Sequence, residues 1–90
     1  WGSSDQVVLN DLGGAIFNEE GNDTDFRIES DTNAHALFVN GSTGNIGIGE
    51  NNPTVSLEVN GADAIKIPDG TSAERPTPEF GMIRFNSIEI

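Results

Sequence analysis

Gly44-Asn-Ile-Gly-Ile-Gly-Glu-Asn-Asn-Pro53 decides how this chain is read. Ile46 and Ile48 stand two apart among Gly44, Gly47 and Gly49, and the run then breaks into Glu50-Asn51-Asn52-Pro53. Isoleucine fits a pleated, half-buried surface. Glycine inside a strand gives up a packing side chain and costs backbone entropy, so it marks a bulge, a bend or the close approach of another backbone. The stretch therefore reads as a short strand with one aliphatic face and a tight passage beside it. Ile46 and Ile48 are expected to face a core, and Gly44, Gly47 and Gly49 to leave gaps that admit a neighbouring chain's backbone.

The same spacing recurs outward from this stretch. Apolar residues stand two apart at Phe26 and Ile28, Leu37 and Val39, Leu57 and Val59, Ile65 and Ile67, and Ile83 and Phe85. Each pair predicts a strand of about five residues with one apolar face. Turn formers separate them: Gly21-Asn22-Asp23, Ser30 to Asn33, Asn40 to Gly44, Asn51-Asn52-Pro53, Asn60-Gly61 and Pro68-Asp69-Gly70. Ile and Val together number fourteen against four Leu and six Ala, a bias toward strands, and no window sustains a helical period. The pairs begin eleven, nine, eleven and eight residues apart from Phe26 to Ile65. That beat suggests a sandwich, a barrel or a solenoid. The expectation is all-β.

The size of the chain argues for a shared core. A 90-residue monomer buries about 60 to 65% of the surface its unfolded chain exposes. With two inward apolar residues per strand and no disulfide, since cysteine is absent, a core built by one chain is thin. Oligomerisation supplies the missing burial if small apolar faces of several chains meet around an axis.

Fifteen Asp and Glu against four Lys and Arg give a formal net charge of -11. The basic residues Arg27, Lys66, Arg75 and Arg84 are scattered, so nucleic acid is not an expected partner. No apolar run approaches the roughly 20 residues needed to span a bilayer, and the first residues lack the pattern of a signal peptide. A soluble chain with no membrane partner is expected.

Three pieces carry a resemblance: Asp25 to Ser30, Ala36-Leu-Phe-Val-Asn-Gly-Ser-Thr-Gly-Asn-Ile-Gly-Ile-Gly49, and Pro53 to Gly61. They resemble the repeated shaft segments of bacteriophage tail fibres and tailspikes, where a Leu-Phe-Val strand precedes a Gly-Ile-Gly strand, then Pro and a Leu-x-Val strand. Ala64-Ile-Lys-Ile-Pro-Asp-Gly-Thr-Ser-Ala-Glu-Arg-Pro76, continuing to Gly81-Met-Ile-Arg-Phe-Asn86, is similar to a second fibre module frequent in marine phage. The resemblance implies an elongated, parallel, intertwined homotrimer of the triple-stranded β-helix or β-prism kind, located in the virion and outside the cell. It implies a stiff, non-catalytic rod that supports host attachment, with neighbouring fibre segments and a host cell-surface glycan as further partners. The interchain core would then comprise Phe26, Ile28, Leu37, Val39, Ile46, Ile48, Leu57, Val59, Ile65, Ile67, Ile83 and Phe85. Glu50-Asn51-Asn52 departs from the small hydroxyl residues usual after the Gly-Ile-Gly strand. Trp1-Gly2-Ser3 looks like the end of an aromatic-glycine hairpin, so the chain reads as a segment of a longer fibre or a small protein of the same unit.

Three stretches follow: a strand or loop lead-in over residues 1–13, a repetitive shaft over 14–61, and a second module over 62–90 with a proline-rich connection and a terminal strand. The alternative is a monomeric carbohydrate-binding β-sandwich that binds glycan through an exposed Phe38, which must point away from Leu37 and Val39, or through acidic loops with calcium. Packing of Phe38 against another layer is the favoured role.

No catalytic, cofactor or metal site is expected. His35 is the only histidine and no serine sits in a nucleophile elbow. Three copies of His35 on an axis would suit a metal or anion, but a plain loop histidine is favoured. Glu29 with Asp31, or Glu19 with Glu20, are too close along the chain to flank a glycosidic bond. Asp23 and Asp25 alternate as calcium ligands do, yet lack the downstream bidentate Glu, so an Asx turn is favoured.

Overall fold

The computed structural model describes residues 7–87. Within them the chain is built from eight short strands and a single turn of 3-10 helix, Ser72–Glu74. The strands are β1 (Val7–Leu9), β2 (Ala15–Phe17), β3 (Phe26–Ile28), β4 (Leu37–Val39), β5 (Ile46–Ile48), β6 (Leu57–Val59), β7 (Asp69–Gly70) and β8 (Phe85–Asn86). They form a hairpin β1-β2, a four-stranded sheet in the order β3-β4-β5-β6, and a parallel pair β7-β8. The reading of Trp1-Gly2-Ser3 as a hairpin end lies outside the described residues.

The chain is extended. Its radius of gyration is 17.9 Å and its principal extents are 61 × 36 × 27 Å. A compact domain of this length has a radius near 12 Å. Three small sheets, none stacked into a common layer by more than loose contact, account for the difference.

Asparagine side chains make the tight turns. In the β1-β2 loop Asn10 Oδ1 accepts from the N–H groups of Leu12 and Gly14, both at 3.0 Å. In the β4-β5 loop Asn40 Oδ1 accepts from Ser42 at 2.8 Å and Thr43 at 3.0 Å. Each loop needs a left-handed residue to turn back, and Gly13 (φ 86°) and Gly44 (φ 78°) supply it. In the four-stranded sheet, β3-β4 and β4-β5 are antiparallel and β5-β6 is parallel. The connection over residues 49–56 is shorter than the dozen or more residues a parallel crossover usually takes. It keeps close to the sheet by side-chain bonds, with Thr54 N–H and Oγ1 donating to Glu58 Oε1 at 2.9 and 3.1 Å and Asn60 Nδ2 to Glu50 Oε1 at 3.2 Å.

Three expectations differ from the structure in detail. Ile65 and Ile67 alternate but form no strand; the ladder begins after them, where Phe85 N–H donates to the Pro68 carbonyl at 2.8 Å and Ser87 N–H to that of Gly70 at 2.7 Å. Pro68 has no N–H to give, so the pairing uses its carbonyl and the residues beyond it. Ile83 likewise precedes the strand that Phe85 opens. The boundary placed after residue 13 falls inside the β1-β2 hairpin, whose register sets Val7 opposite Phe17 and Leu9 opposite Ala15.

Candidate functional site

Cross-strand register sorts the side chains of the four-stranded sheet onto two faces, because directly opposed residues share a face and neighbours along a strand alternate. Phe26 opposes Val39, Val39 opposes Ile46, and Ile46 opposes Leu57. Ile28 opposes Leu37, and Ile48 opposes Val59. One face therefore carries eight apolar residues in two rows. The other carries Arg27, Phe38, Gly47 and Glu58 in a single row between them.

The aliphatic face is the open one. Leu57 is 61% exposed, Ile28 51%, and Ile46 and Ile48 38% each, values far from those of core residues. Only at its Phe26 corner does the face gain cover from the preceding hairpin, where the Phe17 and Phe26 rings lie 5.0 Å apart at 49°. Monomeric proteins rarely expose large contiguous apolar surface.

The opposite face is covered by the chain itself. Phe38 is 5% exposed and is the one buried large hydrophobic residue among those described. The His35 ring meets it edge to face with centroids 5.6 Å apart. Gly47 and Pro53 are buried as well. A Cβ at Gly47 would collide with the Glu50 carbonyl oxygen, so this glycine admits the chain's own returning loop. Gly49 has φ 72° and lies against the Asn60 carbonyl, where a Cβ would come within 2.8 Å; Gly44 has open space around it and serves its turn. The gap beside Gly47, expected for a neighbouring chain, is thus filled from within. The physical reason is the sharp return at residues 49–53, pinned by the Gly49 N–H bond to the His35 carbonyl at 2.9 Å and by Asn45 Nδ2 to the Pro53 carbonyl at 3.1 Å.

The other candidate residues are dispersed. Ile65, Ile83 and Phe85 are exposed beyond the sheet, and Ile67 is half-buried. His35 lies against Phe38, on the side away from the aliphatic rows. Asp25 Oδ1 accepts from Gly41 N–H at 2.8 Å, a contact that ties the start of β3 to the β4-β5 turn. Glu29 pairs with Arg27 at 3.0 Å with both side chains about half exposed, while Glu19, Glu20, Asp23 and Asp31 are exposed. Among the described residues no three of His, Cys, Asp and Glu gather as metal ligands would. The Thr71 N–H, donating at 2.9 Å, holds the Glu74 carboxyl below its usual titration value.

The sequence pointed to packing of Phe38 against another layer but not to His35 as the ring that meets it.

Comparison of the chain with family models, curated proteins and solved structures yields no match. Among the described residues no helix is long and apolar enough to cross a membrane.

Proposed function

We propose that this chain is a structural segment of a phage tail fibre, in which three copies share one apolar core and form a stiff, non-catalytic rod that supports host attachment. The observation that carries the proposal is the aliphatic face of the four-stranded sheet, two rows deep and left open by its own chain. Burying it between copies removes apolar surface worth about 25 cal/mol per Å² from water. The extended form of the chain suits a rod, since successive small sheets are arranged without a common core. In this reading the virion's other fibre segments continue the rod, and recognition of a host glycan belongs to a more distal part.

The carbohydrate-binding sandwich draws no support from the geometry. Its route through Phe38 is closed, since Phe38 is buried. Light scattering coupled to size exclusion tests the proposal. The expected result is a mass three times that of the 9.5 kDa chain, eluting earlier than a globular protein of that mass. A monomer at all concentrations would overturn it.

A further inference from the structure

The geometry points to a specific seam between copies: β6 of one copy pairs in parallel with β3 of the next, in the register that sets Glu58 opposite Arg27. This inference rests on the trimeric reading above and adds the way its edges close.

The sheet ends in β3 on one side and β6 on the other, and neither outer edge has a ladder partner among the described residues. Unpaired edges are templates for another strand. Their free backbone groups can be assigned. Ile46 N–H donates to the Ser56 carbonyl and Asn60 N–H to the Ile48 carbonyl, each at 2.9 Å. Backbone groups of successive strand residues point to opposite sides, so those of Ser56, Glu58 and Asn60 face β5. Those of Leu57 and Val59 face outward. Across the sheet, Asn40 N–H donates to the Asn45 carbonyl at 2.9 Å, which turns Phe38 and Asn40 toward β5 and Leu37 and Val39 toward β3. Their partners Ile28 and Phe26 therefore face inward, and Arg27 presents its N–H and carbonyl outward.

These two sets are complementary. A parallel ladder joins both backbone groups of one residue to the two residues flanking its partner. Arg27 placed opposite Glu58 donates its N–H to the Leu57 carbonyl and receives the Val59 N–H on its own carbonyl. Strand direction agrees: β3 runs antiparallel to β4, β4 to β5, and β5 parallel to β6, so β3 and β6 point the same way and meet in parallel when copies are related by rotation about an axis along them.

Side chains fit the same register. Leu57 falls beside Phe26 and Val59 beside Ile28, which continues both aliphatic rows from copy to copy. On the other face the Glu58 carboxylate falls beside the Arg27 guanidinium, opposite charges at the two ends of one row. Within a chain, Arg27 holds Glu29 at 3.0 Å, and Glu58 accepts Thr54 on Oε1 only. Each retains capacity for the other.

Three copies also fit the dimensions. Four strands span about 19 Å, so three such sheets closed into a prism stand about 5.5 Å from the axis, half the roughly 10 Å spacing at which facing side chains fill the gap. Two sheets face to face leave every edge open. Four sheets would stand about 10 Å from the axis and enclose a hollow.

Absence of cysteine from the chain makes the test direct. Arg27→Cys with Glu58→Cys places thiols about 14 Å apart within one chain, beyond disulfide reach, and adjacent across the seam. Oxidation is expected to convert this variant to a covalent species of three times the chain mass, while Arg27→Cys with Asn60→Cys, two residues out of register, stays largely unlinked. Arg27→Glu is expected to weaken assembly, and Arg27→Glu with Glu58→Arg to restore it. If the unaltered protein scatters as a trimer while the in-register cysteines stay unlinked and charge reversal changes nothing, the seam is wrong and the trimer survives. Linkage only in the out-of-register pair overturns the register, and a monomeric unaltered protein overturns both readings.

Discussion

On one face of the four-stranded sheet the chain sets His35 against Phe38 and the Glu50 carbonyl over Gly47; on the other it leaves Ile46, Ile48, Leu57 and Val59 open to water. The covered face carries Arg27 and Glu58 at its ends, and the open face carries no charge at all. A monomeric sheet does the reverse, with its apolar side packed and its polar side wet. In the proposed trimer the local loop sets the path of the chain over the covered face, and other copies supply the energy of burying the apolar rows.

Substitutions on the two faces should therefore differ in whether assembly survives them. The largest effect belongs to the open face. Ile46→Asp or Ile48→Asp puts a carboxylate where apolar rows meet, a burial that costs several kcal/mol per ion. Scattering mass and circular dichroism should fall together, and a folded monomeric variant would break the account. Next comes Phe38→Ala on the covered face, expected to cost about 3 kcal/mol as a buried aromatic is truncated. Chemical denaturation measures it. The variant should still assemble at low temperature, because the aliphatic rows are untouched.

The glycines sharpen the same contrast. Gly47→Ala should destabilise by about 1 to 3 kcal/mol, since the Glu50 carbonyl must move for the new methyl. Gly44→Ala meets open space and loses only its left-handed backbone preference, about 1 kcal/mol. Equal effects at the two positions would mean that the intrachain loop is not held against Gly47. The smallest effect is expected at Glu74, remote from both faces. Its folded carboxyl titrates below the usual 4.5, so its bond to Thr71 N–H contributes stability above that pH and loses it as pH falls through the lower folded value. Melting curves of Glu74→Gln and the unaltered protein should differ slightly at neutral pH and converge in acid.

Much of this was legible from spacing alone. The alternation at Phe26 and Ile28, Leu37 and Val39, Ile46 and Ile48, and Leu57 and Val59 marks four strands and their apolar faces, all observed. Phe38 had to point the other way. What alternation cannot carry is pairing, because a period of two is the same for any partner or direction. Hence the parallel β5-β6 pair was not foreseen, and Ile65 with Ile67 looked like a strand although no ladder takes them up. The role of Gly47 was readable as a close approach, but whose backbone approaches depends on where Glu50 to Pro53 turn, a matter of local hydrogen bonds among Asn45, Gly49 and His35.

The central claim is that the aliphatic face is buried by other copies of the chain. Its most direct test is the melting temperature of the unaltered protein measured over a hundredfold range of chain concentration. A fold completed by association must melt higher as concentration rises. The account predicts that rise, together with loss of secondary structure upon dilution. A melting temperature independent of concentration, with the sheet intact in the dilute chain, would contradict it.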